Sequence, residues 1–374
     1  MAKKTKEKDA TETKELSSFD QLIAKIHTVY GNKTSRTGTE LKKEGKPPRI
    51  TTGNPRLDLD LGGGIVPGRV NLMYGKESSG KTFAVLKCLA THTQRKERVA
   101  FLDVERTFDP LWAEACGVDL DYCHVFLAPY AEKYMDIGHV AVASGEFAAV
   151  CVDSMAALLP LAMMGASIEK AHMGLEAKAQ AEFYRKILSG QHEAYCTNKQ
   201  VATLYLINQT REKIGIMFGN PETLPGGNAQ YFYSSTIMKI TKKGIIFKKE
   251  EIEGGKSREV PVGQDIEYYI RKNKTSQAFI TNQIAMYTSD FAGIKAGSWD
   301  AVGSIISLAK DLNIIEVAGK WFKGPVGFKA DGYAALWNML KDDPEMCGEI
   351  YAKVHKYYKD NKNIDLAFNV TELF

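Results

Sequence analysis

No two cysteines in this 374-residue chain are spaced C-x-x-C, and the six present (Cys88, Cys116, Cys123, Cys151, Cys196, Cys347) show no zinc-like spacing. Zinc ribbons and dithiol redox motifs are thereby excluded. Cys88 and Cys151 lie inside apolar runs, as core thiols of a reducing compartment do. No uninterrupted apolar run is long enough to span a bilayer, and no signal-peptide pattern opens the sequence, so a cytoplasmic protein without a membrane association is expected. A strong charge imbalance is also missing. The net charge of +4 permits nucleic-acid binding but does not argue for it, so any such contact must come from local placement. There is no evident internal repeat. What remains, 44% hydrophobic and 25% charged residues, is the composition of a soluble globular protein, and the length calls for one large domain with appendages or for two to three domains.

Residues 1–16 combine five lysines and four acidic residues with almost no large apolar side chains and are expected to be disordered. A helix follows. Ser18 with Gln21 makes a capping box, Leu22, Ile23, Ile26 and Tyr30 form one apolar face, and Gly31 supplies the stop. The stretch 32–49 is polar and lysine-rich and gives that face nothing to pack on, so the helix is expected to dock on the main domain or on another copy of the chain. From residue 50 to about 290, strand and helix patterns alternate, which predicts an α/β core with a parallel sheet. Beyond about residue 296 short helices are expected, with Trp299, Trp321, Phe322 and Trp337 forming a small separate core. The organisation expected is a tail at 1–16, a helix and linker at 17–50, an α/β core at 51–292 and a small C-terminal domain at 293–374.

Gly75-Lys76-Glu77-Ser78-Ser79-Gly80-Lys81-Thr82 fits G-x-x-x-x-G-K-[ST], the loop whose backbone N–H groups wrap triphosphate oxygens. Its four fixed positions arise by chance in roughly one chain in a hundred of this length. The flanks lower that chance: Val70–Tyr74 is a buried-strand pattern and Phe83–Ala90 a helical one. Strand, glycine turn and helix N-terminus together make an anion site. In it Lys81 reaches the β- and γ-phosphates and Thr82 ligates Mg²⁺. Further strands are expected at Val99–Val104, Phe147–Val152 and Val201–Ile207, each ending in polar residues, where ligands of open α/β sheets bind. Asp153 ends one apolar strand and is the candidate second Mg²⁺ ligand. Asp103 and Glu105 end another; alternation puts them on one side of the strand, with Glu105 as general base and Asp103 in support. Asn208-Gln209 ends the last strand, where a neutral amide can hydrogen-bond the γ-phosphate. The segments between Met163 and Gly174 and between Arg211 and Ala229 lack periodicity and are expected to be loops; the second would change order with the nucleotide.

These residues resemble the RecA recombinase family. The phosphate loop is similar, with Lys76 where a proline is usual. So are Asn208-Gln209-Thr210-Arg211-Glu212-Lys213-Ile214-Gly215-Ile216-Met217-Phe218-Gly219-Asn220-Pro221-Glu222-Thr223 with Gly226-Gly227-Asn228-Ala229, the segment His172-Met173-Gly174-Leu175, the pair Lys272-Asn273-Lys274 and Ala318-Gly319-Lys320-Trp321-Phe322. The likeness runs from about residue 19 to 360. It implies a RecA-type P-loop ATPase core with a mostly parallel sheet, an N-terminal helical arm and a small C-terminal α+β domain. By activity it implies an ATP- and Mg²⁺-dependent, DNA-dependent ATPase that polymerises on single-stranded DNA, pairs homologous duplex and exchanges strands. Position by position, Gly75 to Phe83 hold nucleotide, Asp109 and Trp112 contact adenine, Glu105 is the base and Gln209 the γ-phosphate sensor. Lys272 and Lys274 reach ATP on the adjacent subunit. DNA falls to Met173, Gly174, Lys178, Arg185, Arg211, Lys213, Ile214, Met217, Gly226, Gly227 and Asn228, and the subunit contact to Phe232, Leu22 and Ile26. Single-strand-binding and mediator proteins are further implied partners. The chain departs from the pattern at Trp112, larger than the usual aromatic, at Leu224-Pro225 inside a normally polar loop, around Gly190–Gln200, which looks long, and in lacking an acidic tail after Phe374. Two other classes are open to the residues: an accessory ATPase that binds ATP and DNA without exchanging strands, and a metabolic P-loop kinase that needs no DNA.

Overall fold

The computed structural model describes residues 17–31, 34–43, 45, 47–164, 174–212, 222–252, 256–325 and 327–373. Its centre is a nine-stranded sheet among the described residues. In chain order the strands are β1 (Val70–Gly75), β2 (Val99–Asp103), β3 (Cys123–Phe126), β4 (Ala149–Asp153), β5 (Thr203–Gln209), β6 (Thr236–Ile252), β7 (Lys256–Asn273), β8 (Ile280–Tyr287) and β9 (Ser298–Trp299). Their spatial order is β9-β8-β7-β6-β1-β5-β4-β2-β3. β3 through β6 of that order run parallel to their neighbours, and β7, β8 and β9 extend the sheet antiparallel. The α/β class with a mostly parallel sheet is therefore as expected.

β1, β2 and β4 are buried along their whole length, and β5 along all but its last residue. Covered on both faces, such strands carry continuous apolar runs rather than alternation. Two clusters cover them. One packs Phe83, Leu86 and Leu89 of the helix Lys81–Gln94 against Phe101, Cys151 and Tyr205. The other packs Val142 of the helix Ala131–Ser144 and Phe183 and Ile187 of the helix Leu175–Cys196 against Leu72, Val150 and Leu204. Each fully buried Leu, Val or Phe contributes roughly 1.5–3 kcal/mol relative to exposure. β4 and β5 begin two residues later than expected and end one and two residues later, at Asp153 and Gln209, which still pair in register, whereas β2 ends at Asp103, one residue before the expected Val104.

A third cluster gathers Ile305, Ile306, Leu336, Trp337, Ile350 and Phe322 from the helices Ala301–Asp311, Tyr333–Asp342 and Pro344–Lys362 and a three-stranded antiparallel sheet. Two of the four aromatics expected there are elsewhere. Trp299 is 3% exposed but packs edge-on against Phe83 in the main core, ring centroids 4.5 Å apart, and its indole N–H donates to the Thr52 carbonyl. Trp321 lies half-buried under the Lys329 ammonium, 4.0 Å from its ring centroid. The segment around Gly190 is not a separate insertion. Up to Cys196 it continues the helix that begins at Leu175, and Gly190 packs directly on the backbone of His139.

The N-terminal helix spans Ser18–Tyr30 and its capping box is Ser17 with Asp20, one residue before the expected pair; the shorter Asp20 side chain reaches the Ser17 N–H at 3.2 Å. No residue of this helix is buried, and Phe19, Leu22, Val29 and Tyr30 are exposed. Leu22 and Ile26 thus meet no core within the protomer. Among the described residues, no helix is long and apolar enough to cross a membrane.

Candidate nucleotide site and the loops attached to it

Four neighbouring strands bring the site together. Register pairs Gly75 of β1 with Gln209 of β5, and Asp103 of β2 with Asp153 of β4. The N–H of Thr210 donates to the Gly75 carbonyl at 3.2 Å, so the start of the phosphate loop and the root of the 210–228 segment are bonded to one another. On the other flank Gly75 abuts β6: a β-carbon there would stand 2.0 Å from the Ile240 carbonyl oxygen. Only glycine allows that approach.

The helix Lys81–Gln94 starts at Gly80, which is left-handed (φ 93°) and offers no side-chain cap. Asn54, Asp109 and Asp300 cap their own helices with side-chain oxygens. The first N–H groups of Lys81–Gln94 have no such acceptor, and a phosphate supplies one. Lys81, 8% exposed, lays its ammonium on the Lys76 carbonyl at 2.6 Å. Burial lowers its pKa, and Asp153, Glu105 and Glu77 oppose that shift. The Ser79 hydroxyl is buried without a hydrogen-bond partner, a further polar atom that suits a phosphate oxygen.

Thr82 donates to the Asp153 carboxylate at 2.7 Å. One hydroxyl and one carboxylate are a fitting protein donor set for Mg²⁺, which retains water and takes the rest of its shell from phosphate oxygens. Among the described residues no group of three or more His, Cys, Asp or Glu forms an all-protein cation site. Burial pushes the Asp153 carboxyl up to about 6, opposed by the Thr82 hydrogen bond and reinforced by nearby Glu105.

Glu105 lies beyond the end of β2, in the turn rather than on the strand, so it and Asp103 do not act as an alternating pair. Asp103 is buried and accepts the N–H groups of Thr107 and Phe108 at 3.0 and 3.1 Å. It folds the turn that carries Glu105. The Glu105 carboxylate accepts from Ser154 and, at 2.9 Å, from the Gln209 amide. Ser154 was not among the expected residues, and nothing in its sequence position marks it.

The two amides ending β5 divide their work. Gln209 faces Glu105. Asn208, fully buried, donates to the Pro225 carbonyl at 3.1 Å and to Gln230 at 2.8 Å, while Gln230 donates to the Pro225 and Gly227 carbonyls, both at 3.0 Å. Leu224 is buried in the core, which explains the apolar Leu224-Pro225 in this segment. A short ladder joins Arg211–Glu212 to Glu222–Thr223, and Lys239 pairs with Glu222 at 2.5 Å. Both ends of the segment are thus anchored. Gly226 lies so close to the helix Leu175–Cys196 that a β-carbon would overlap the Gln180 amide, 1.6 Å away. Gly174 caps the start of that helix, Lys178 and Arg185 are exposed along it, and Arg211 lies 3.7 Å from Glu176. Gly174, Lys178, Arg211 and Gly226 to Asn228 therefore gather around one helix end, with Arg185 two turns further along. Met173, Lys213, Ile214 and Met217 lie outside the described residues.

A slot of about 310 Å³ runs from the phosphate loop to Trp112, lined also by Phe83, Gln264, Met286 and Thr288. Trp112 is where an adenine-contacting aromatic was expected, whereas the Asp109 carboxylate is occupied in capping its helix through the N–H groups of Leu111 and Trp112. Gln264, Met286 and Thr288 were not expected. They reach the slot through the order β8-β7-β6-β1, which no local pattern announces.

Lys272 and Lys274 stand at the other end of the sheet. Lys272 pairs with Ile237, and its neighbour Thr236 with Asn71 at the start of β1. Four residues of strand, about 13 Å, separate Asn71 from Gly75. The Lys272 ammonium rests on the Tyr231 carbonyl, and the Lys274 ammonium is 3.4 Å from the Phe232 carbonyl. Burial, then the Lys274 charge, lowers the pKa of Lys272. Phe232 is 72% exposed. Neither lysine can meet the phosphate loop of its own chain.

Because the Asp153 pKa is raised from 3.8 to about 6, the folded chain keeps a proton that the unfolded chain releases in that interval. Its contribution to stability is full below the unfolded value and declines as pH rises through about 6. Without nucleotide, Asp153→Asn should stabilise the protein by about 1–3 kcal/mol at pH 7.5. Denaturant unfolding from pH 7.5 down to pH 5 checks this: the gain should shrink on acidification, and a variant no more stable than wild type at pH 7.5 would contradict the assignment.

Residues 17–292 match the family description RecA N-terminal domain. Relatives named Protein RecA cover nearly the whole chain. That of Halalkalibacterium halodurans is 31% identical over 359 residues, 96% of each chain. That of Oceanobacillus iheyensis is 33% identical over 351 residues, 92% of this chain and 93% of the relative. That of Heliobacterium modesticaldum is 31% identical over 340 residues, 91% and 92%. With the fold, the phosphate loop and this likeness in agreement, the chain belongs to the RecA family.

Proposed function

We propose that this chain is an ATP-dependent recombination and repair protein that assembles as a helical filament on single-stranded DNA, pairs homologous duplex and hydrolyses ATP in response to DNA. The observation that carries the reading is the Gln209 amide, bonded to Glu105 at 2.9 Å and placed opposite Gly75 at the root of the 210–228 segment. One side chain thus touches the base that would activate water, faces the phosphate loop and begins the DNA-facing segment.

In this reading Lys81 and the uncapped N–H groups of its helix bind the β- and γ-phosphates, with Ser79 a further donor. Thr82 and Asp153 would hold Mg²⁺, which when bound would supply charge neutralisation for the phosphate oxygens. Glu105 orients and deprotonates the attacking water. Gln209 exchanges its bond to Glu105 for one to the γ-phosphate, and that exchange moves the segment it begins. Lys178, Arg185, Arg211 and Lys213 neutralise DNA phosphates, with backbone N–H groups of Gly226 and Gly227 in support. Lys272 and Lys274, at the far end of the sheet beside exposed Phe232, complete the phosphate site of an adjacent protomer, while Leu22 and Ile26 cover the arm's apolar face against that neighbour.

Single-stranded DNA should stimulate ATP hydrolysis by wild type, and joint molecules should form with homologous but not heterologous duplex. Arg211→Ala with Lys213→Ala should leave ATP binding intact, weaken single-stranded DNA binding about tenfold and lower the salt slope by roughly 1–2. Hydrolysis indifferent to DNA would sink the reading, and ATPase without joint molecules would move the chain to the accessory class. A mixing experiment tests the composite site. Glu105→Gln and Lys272→Ala protomers, each inactive alone, should regain part of the ATPase activity when co-assembled; no recovery in demonstrated co-assemblies would exclude a shared site.

A further inference from the structure

The slot beside the phosphate loop has apolar walls and one polar edge. The Trp112 indole, 6.0 Å from the Phe83 ring centroid, lines one side and the Met286 thioether another. Gln264 sits directly across the strand pair from Met286 and donates its amide nitrogen to the Met286 sulfur at 3.3 Å. The amide also lies against the start of the phosphate-loop helix: a β-carbon on Gly80 would stand 3.0 Å from the Met286 sulfur and 3.4 Å from the Gln264 nitrogen. A flat base leaving the phosphates through this slot passes between indole and thioether and turns one edge toward that amide.

The sulfur decides which way the amide faces. A thioether has lone pairs and no proton, so it accepts the NH₂ group and repels the carbonyl oxygen. One N–H is spent on sulfur; the carbonyl oxygen and the second N–H are left as an acceptor beside a donor. Adenine carries the matching pair on one edge, an exocyclic amino donor next to a ring-nitrogen acceptor, the fork that glutamine amides read bidentately. Guanine and hypoxanthine put a carbonyl where adenine has its amino group, which sets oxygen against oxygen. Turning the amide over removes that conflict at the cost of only a weak bond to sulfur. The discrimination is therefore of order tenfold rather than thousandfold.

We propose that Gln264 is a base-specificity residue, which selects adenine nucleotides by accepting from the exocyclic amino group and donating to the adjacent ring nitrogen, while Trp112 and Met286 hold the ring. This rests on the reading of the phosphate loop as a nucleoside-triphosphate site.

Competition binding of ADP, GDP and IDP to the full-length chain without DNA tests it apart from filament assembly and turnover. Wild type should bind ADP about tenfold or more tightly than IDP and GDP. Gln264→Met fills the same space and touches Met286 but has neither acceptor nor donor; it should weaken ADP and bring the three within about threefold. Gln264→Glu keeps the acceptor and should retain the preference of ADP over IDP, and it also guards against a Met variant that fails to fold. An unchanged ADP-to-IDP ratio in Gln264→Met, with ADP still bound, would overturn the base assignment and leave the phosphate-loop reading standing. A wild-type chain that binds none of the three would overturn the phosphate-loop reading and this inference with it.

Discussion

The register of β1 against β5 is the constraint on which the rest of the site depends. It sets Gly75 opposite Gln209 and ties their backbones through Thr210. The same strand end that leads into the phosphate loop is thereby bonded to the strand end that leads into the 210–228 segment. Sheets shift in steps rather than by fractions, since a one-residue slip would turn every buried side chain of β5 to the wrong face. The distance between the two strand ends is thus held by the core. Burial at Gly75, where β6 leaves no room for a β-carbon, closes the other flank.

On that frame the charged groups are arranged in tension. Burial raises the Asp153 carboxyl to about 6 and lowers the Lys81 ammonium from its ordinary value. Glu105 is engaged on its carboxylate by both Ser154 and Gln209. Phosphate oxygens and a divalent cation would be further partners for the same groups.

Much of this was legible in the order of residues. Continuous apolar runs ending in acids and amides gave β1, β2, β4 and β5 because doubly covered strands have no polar face to alternate with. The phosphate loop and Thr82 followed from the loop motif, and Asp153, Glu105 and Gln209 from their places at or just beyond strand ends, whereas the bond between Glu105 and Gln209 did not show in the sequence. What stayed hidden depended on partners distant in sequence. Trp299 joins the main core because β9 extends the sheet back over Phe83. Asn208 and Gln209 look alike in sequence, and only the bonds of Asn208 to Pro225 and Gln230 separate the two. Gln264 sits in an ordinary strand, and it faces the nucleotide slot only because three strands bring it there. Lys272 and Lys274 stand at the end of the sheet away from Gly75, a placement that only the strand register reveals.

The central claim is that the bond Gln209 makes to Glu105 converts phosphate occupancy into order in the segment it begins. The most direct test is the affinity for single-stranded DNA of wild type and Gln209→Ala, each measured with a non-hydrolysable ATP analogue and with ADP. Wild type should bind DNA at least about tenfold more tightly with the analogue, a coupling of roughly 1.4 kcal/mol. Gln209→Ala should bind both nucleotides yet hold DNA with the same affinity in either state. A variant that keeps the full wild-type ratio would contradict the account.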